Sequence, residues 1–299
     1  MRSSDPAPRL TMAVLATALA QPVLAQGRPA IPEPEVVGPG AISTADLNET
    51  FPAIDPMDGA LWFSRYRDSF DRQTIYVARA RGDGWAEPVV APFSGTHGDR
   101  APRFSPDGSR LYFTSNRPVP GAASGNDLNI WVVTRGGDGG WSPPELVPAP
   151  VSLPGGRDMH AAVTADGTVF LASYREPGRG RADIYRVPWR NGAFGEPENL
   201  GATVNDSLGQ TDLFVTPDGT LMILVVTDRP GGLGGDDLYV LRREGRGWSE
   251  PVHLPAPLNS HEYEYGPWLS PDGRYLYFTS HRGGTGDILR VPAATVRVR

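Results

Sequence analysis

Short apolar runs alternate with polar turn residues along the whole chain, and the alternation comes back in the same order five times. In each copy a segment of mixed small and apolar residues precedes an Asp-Gly pair ("APRFSP", "HAAVTA", "DLFVTP", "GPWLSP"). A second, strongly apolar segment follows it and ends on Arg ("RLYFTSNR", "TVFLASYR", "YLYFTSHR"). A third alternates apolar and polar positions ("TIYVAR", "NIWVVTR", "DLYVLRR"), and a fourth runs from an aromatic through Pro ("WAEPVV", "WSPPELV", "WSEPVHL"). Each piece is rich in β-branched and aromatic residues and is bounded by Gly, Asp, Asn or Pro, which predicts strands. No segment keeps a helical period over several turns.

The Asp-Gly pairs begin at Asp58, Asp107, Asp166, Asp218 and Asp272, spaced 49, 59, 52 and 54 residues apart by subtraction. A period of that size marks a repeat architecture. Four strands per period, repeated five times, describe the blades of a β-propeller. The expected fold class is therefore all-β, a single propeller of five four-stranded antiparallel blades. Six blades, or two domains, are the alternatives. The fifth copy lacks its aromatic-Pro strand, and "IPEPEVVGP" (31–39) near the N-terminus matches the missing piece. Pairing that strand into the last blade would close the ring and cover an edge that is otherwise bare.

The first residues read differently. Arg2 and Arg9 precede "LTMAVLATALAQPVLAQ", with small residues at Val23 and Ala25, the pattern of an export leader over residues 1–25. The propeller domain then spans 26–299, and the expected location is periplasmic or secreted. The chain has no Cys, so no disulfide is possible. Its net charge of -6 without Lys/Arg runs disfavours nucleic acid, and nothing predicts insertion into a membrane.

The consensus "SPDG-x-x-LYFTS-x-R", carried by Ser105–Gly108 and Ser270–Gly273 with looser copies elsewhere, resembles the WD-like propeller repeat of the periplasmic TolB family. It is also similar to repeat units attached to some OmpA-like outer-membrane proteins. The resemblance covers the mature chain and implies architecture rather than activity, because the same repeat serves binding proteins, peptidases and polysaccharide lyases. TolB-type proteins have six blades and an extra N-terminal domain, and this sequence shows neither.

Candidate chemistry is sought where the copies differ. The Arg that ends the second segment recurs as Arg67, Arg117, Arg175, Arg229 and Arg282, so a role common to every blade is expected: pairing with a polar residue that opens the next strand, such as Asp183, Asp237 or Asp287. At the start of the first segment lie Glu49, Asp99, Asp158, Gln210 and Glu264, with variable neighbours that include Arg100, His160, Asp212 and Tyr265. A ring of these residues at the mouth of the central channel is the expected ligand site, or else merely the solvated start of the strands. Crowded carboxylates repel, so a cation such as Ca²⁺ could sit among them; no other cofactor is indicated. His97, His160 and His261 show no metal-ligand spacing, and no GxSxG is present. The function expected is a monomeric binding or scaffolding module of the cell envelope that takes a peptide, a glycan or a cation, with an envelope protein as a further possible partner. The alternative is a carbohydrate-active enzyme, a glycoside hydrolase or lyase, built on the inner-strand carboxylates, with Tyr263, Tyr265 and Trp268 as a sugar platform.

Overall fold

The computed structural model describes residues 31–119 and 127–297. The leader expected over 1–25, and the start of the domain at residue 26, lie outside the described residues. Five antiparallel sheets follow one another along the chain as the blades of a propeller. Their innermost strands are Asn48–Ile54, Asp99–Phe104, Asp158–Val163, Gly209–Val215 and Glu264–Leu269, in blades 1 to 5. Among the described residues, helix is confined to the short C-terminal Ala294–Arg297 and a single 3₁₀ turn at Phe70–Arg72.

The ring closes as the repeat count requires. Glu35–Val36 pairs antiparallel with Asp287–Pro292 as the outermost strand of blade 5. Val37 and Ile42 are then buried, and the Ser43 hydroxyl accepts the Ile288 N–H at 3.1 Å.

Each turn between the first two strands of a blade is set by its Asp-Gly pair. Gly59, Gly108, Gly167, Gly219 and Gly273 all have φ between 69° and 83°, a region closed to most side chains. The Asp before each glycine receives local donors, as Asp107 does from Ser105 Oγ at 2.6 Å. The second strands supply the packing between blades: Phe63, Phe113, Leu171, Leu224 and Phe278 occupy equivalent positions and are almost fully buried. The outermost strands are shorter than the sequence pattern predicts, two residues each, as at Val89–Val90 and Glu145–Leu146. The aromatic of the fourth segment is instead drawn into a hairpin ribbon, where Trp85 pairs with Ala80 and Phe194 with Trp189. The Pro that follows cannot donate to a ladder, and pairing resumes only after it.

Every innermost strand bulges near its third residue. Phe51, Ala101, His160 and Gly266 are left-handed there, with φ of 52° to 66°. The bulge turns one N–H out of the ladder and toward the preceding blade. Phe51 N–H donates to Thr279 Oγ1, Ala101 to Ser64 Oγ and His160 to Thr114 Oγ1, each at 3.0 Å. Blades 3 and 4 carry Ala172 and Val225 where the other second strands carry these hydroxyls, opposite Met159 and Asp212. Blade 5 recovers a partner in a different way: Gly266 N–H donates to Asp212 Oδ2 at 2.8 Å.

Candidate functional site

The four carboxylates that begin inner strands do not face the channel. Glu49, Asp99, Asp158 and Glu264 are 0–1 % exposed, and each is neutralised by the arginine side of its own blade. Arg117 Nη2 lies 2.8 Å from Asp99, Arg175 Nη2 2.7 Å from Asp158 and Arg282 Nη2 3.3 Å from Glu264. A serine completes each pair, with Ser115, Ser173 and Ser280 donating at 2.5–2.6 Å. The second carboxylate oxygen fastens the incoming loop: Asp158 Oδ2 accepts Leu153 N–H and Glu264 Oε2 accepts Ser260 N–H. Arginine reaches the same loops, since Arg175 donates to the carbonyls of Pro150 and Val151.

The two ring features of the sequence are therefore one clamp. Arg117, Arg175 and Arg282 pair with the strand-start carboxylates, and Arg229 lies 3.9 Å from Asp206; none pairs with Asp183, Asp237 or Asp287. In blade 1 the register sets Arg65 opposite Glu49, at 2.9 Å, and leaves Arg67 on the surface with Asp46. In blade 4 Gln210 takes the acid's place and donates to Asp206 at 2.7 Å. Each of the four carboxylates thus has a guanidinium beside it. Among the described residues no cluster of His, Asp and Glu is arranged to hold a metal ion.

The neighbours of those carboxylates do face the channel. Arg100, His160, Asp212 and Tyr265 line a cavity of about 410 Å³ at the mouth where the inner strands start. Phe51, Tyr66, Phe70, Asp71, Arg157, Met159, Tyr174, Thr211, Asp236, Tyr263 and His281 complete the wall. Most of these occupy positions that differ between copies beside a position that does not. Arg157 and Tyr263 precede the clamped acid; Tyr66, Tyr174 and His281 precede the position of the strand-ending arginine. That variability was the signal by which they could have been found. Phe70 and Asp71 belong to the 3₁₀ turn of blade 1 and have no counterpart in the repeat.

Asp212, in the wall of the cavity, belongs to a buried ion pair. Arg103, 1 % exposed, reaches from blade 2 to Asp212 of blade 4 at 3.5 Å and lies against the Trp268 ring, 5.8 Å from its centroid. Asp212 also accepts the N–H groups of Leu213 and Gly266. Trp268 lines a separate, more apolar cavity of about 170 Å³ at the Asp-Gly end, so it is no part of a platform with Tyr263 and Tyr265.

Burial governs the titration of this wall. Desolvation pushes His160 down to about 4, against the help of Asp212. Its Nδ1 meets the Thr211 carbonyl at 2.7 Å, so the neutral ring donates there, and Nε2 has no partner. Desolvation also raises Asp236, which accepts Thr227 Oγ1 at 2.6 Å. The Tyr265 phenol is held well above its ordinary range by burial and meets His281 Nε2 at 3.0 Å.

His160 predicts a pH dependence. The unfolded imidazole, with its ordinary value of 6.5, takes a proton before the folded one does. Stability is thus fully present above pH 6.5 and falls as the pH drops toward 4, by about 3 kcal/mol for this group. Urea unfolding of wild type and His160→Gln should show a difference that shrinks by roughly that amount between pH 7 and pH 4. The raised Asp236 and Glu49 act in the opposite sense but are common to both proteins. A difference independent of pH would place the proton elsewhere.

No protein-family model matches the chain, and no curated protein is similar to it. Among solved structures, a glycoside hydrolase is similar at 10 % identity, with a TM-score of 0.60 over 88 % of this chain and 92 % of that one. The endo-arabinase of Bacteroides thetaiotaomicron VPI-5482 is similar at 15 % identity, TM-score 0.50, over 86 % of this chain and 97 % of the other. A chain from Agrobacterium tumefaciens assigned as TolB reaches 17 % identity and TM-score 0.48 over 78 % and 69 %. Identities this low speak to fold alone, a β-propeller.

Proposed function

We propose that this chain is an exported binding module of the cell envelope that takes a saccharide in the cavity at the strand-start mouth. One observation carries the reading: the repeated carboxylates are locked behind arginine, while the variable positions beside them build an aromatic, partly charged cup of about 410 Å³. That volume suits a small ligand. Tyr174 and Tyr263 stand at the rim, 40 % and 48 % exposed, with flat faces on which the C–H face of a sugar ring can rest. Tyr265, Tyr66 and Thr211 offer hydroxyls deeper in the wall. The scaffold is shared with proteins named for carbohydrate chemistry, a glycoside hydrolase and an endo-arabinase.

The enzymatic reading has one observation in its favour, the raised pKa of Asp236, which suits a general acid. Its partner is missing from the geometry. Asp212 is bound to Arg103 and two backbone N–H groups, and Asp71 stands at the rim with its side chain 80 % exposed. Binding without turnover is the stronger reading.

Calorimetry of the mature chain against a panel of envelope and plant oligosaccharides tests it. The expected result is binding that falls at least tenfold in Tyr174→Ala and Tyr263→Ala with little change in melting, since both rings stand partly exposed at the rim. A panel without any binder would end the saccharide reading. Hydrolysis or elimination products that vanish in Asp236→Asn would establish the enzyme instead.

A further inference from the structure

One side of the cup carries more positive charge than its neighbours can neutralise. Arg100 is 3 % exposed, yet among the described residues its only ionic partner is Asp71, at 3.6 Å, on a side chain 80 % exposed to water. Its Nε is buried without a hydrogen-bond partner, and its other contacts are the Met159 sulfur at 3.9 Å and the Phe70 face. A buried guanidinium with an unused donor is costly unless something else completes it. Arg157 lines the same wall from the start of blade 3. Its guanidinium lies over the Tyr174 ring, 5.2 Å from the centroid, and it makes no ion pair among the described residues. The two cations oppose each other: Arg157 adds to the burial that pulls Arg100 down to about 10, a value that still leaves it charged at neutral pH.

The remaining carboxylates of the wall do not cancel this charge. Asp212 is spent on Arg103 and on two N–H groups. Asp236 is pushed toward its neutral form by burial. That leaves Arg100 and Arg157 against Asp71. His160, 6 % exposed and neutral, adds a second unpartnered buried atom to the same wall, its Nε2. An anion resting between the two guanidinium groups would satisfy Arg100 Nε and relieve the repulsion between them. Arginine is suited to this task because its planar fork matches a carboxylate with two parallel hydrogen bonds.

Resting on the saccharide reading above, we infer that Arg100 and Arg157 form an anion subsite and that the cup selects sugars bearing a carboxylate, such as uronic acids. The sugar ring lies on the tyrosines, and its carboxylate lies between the arginines. A monoanion fits the balance of two cations against Asp71. A phosphate, with nearly two charges at neutral pH, would exceed that balance and be repelled by Asp71 beside Arg100.

Ligand-observed NMR titration with methyl β-D-glucuronide, methyl β-D-glucoside and glucose 6-phosphate tests the inference, because the first two differ only in the carboxylate. The glucuronide should bind at least tenfold more tightly than the glucoside. Arg157→Gln, an exposed substitution that leaves the melting temperature in place, should erase most of that preference, and Arg100→Lys should weaken it by removing the fork while keeping the charge. Equal binding of glucuronide and glucoside would overturn the acidic-sugar inference and leave the saccharide reading standing. Tighter binding of glucose 6-phosphate would replace the carboxylate by a phosphate. Failure of all three probes to bind would count against both readings.

Discussion

Asp158→Ala should destabilise the protein by about 3–5 kcal/mol, because it strands Arg175 in a buried site without its anion. For a domain of this size the loss corresponds to a fall in melting temperature of roughly 10 °C. The substitution releases three things together: the Arg175 guanidinium, the Ser173 hydroxyl and the Leu153 N–H that ties the incoming loop. Asp158→Asn should recover part of the loss, since the amide keeps an oxygen for two of those donors but not the charge. The effect on ligand binding should be small compared with that of Tyr174→Ala, because Asp158 does not line the cup. Scanning calorimetry beside the binding titration separates the two. An unchanged melting temperature with binding lost would return the carboxylate to the ligand site and dismantle the clamp.

The second large effect is expected at the seam of the ring. Removing residues 31–43 should abolish cooperative unfolding or lower the midpoint by more than the Asp158 substitution does. The deletion bares the Asp287–Pro292 edge, empties the sites of buried Val37 and Ile42, and removes the Glu35–Arg290 pair and the Ser43 contacts to Ile288. Unpaired edges invite association, so the truncated chain should also show dimers or aggregates by light scattering. A single transition at the original temperature would mean that blade 5 stands without its fourth strand.

The architecture was legible because it is written several times over. A blade's strands and its Asp-Gly turn recur with fixed spacing, and the count of pieces revealed both the number of blades and the missing strand. The site was only partly legible, for a reason that lies in geometry. The bulge at Phe51, Ala101, His160 and Gly266 rotates the inner strand just after its first two residues. Asp99 and Arg100 are neighbours in sequence, yet one points back into its own blade and the other into the cup. Period-2 reasoning could separate the two faces but could not say which faced inward. The carboxylates drew attention because acids at a channel suggest chemistry; their arginines, 17 or 18 residues further on, were identified separately and matched to other partners. Phe70, Asp71 and Asp236 lay outside the repeated segment altogether and left no periodic trace.

The clamps have a consequence for how such a ring can change over generations. Asp99 with Arg117, Asp158 with Arg175 and Glu264 with Arg282 each share one blade, so the unit that gene duplication copies carries its own counter-charge. A blade gained or lost brings or takes its clamp whole, and only seam pairs such as Arg135 of blade 2 with buried Asp55 of blade 1 would have to be made afresh. The ion pair at the wall of the cup follows the opposite rule: Arg103 and Asp212 come from blades 2 and 4 and meet only across a ring of this circumference. A sixth blade would leave every clamp whole and pull this one pair apart. The clamps thus set no blade number, whereas contacts across the ring, this pair and Phe51 against His160, are matched to five blades.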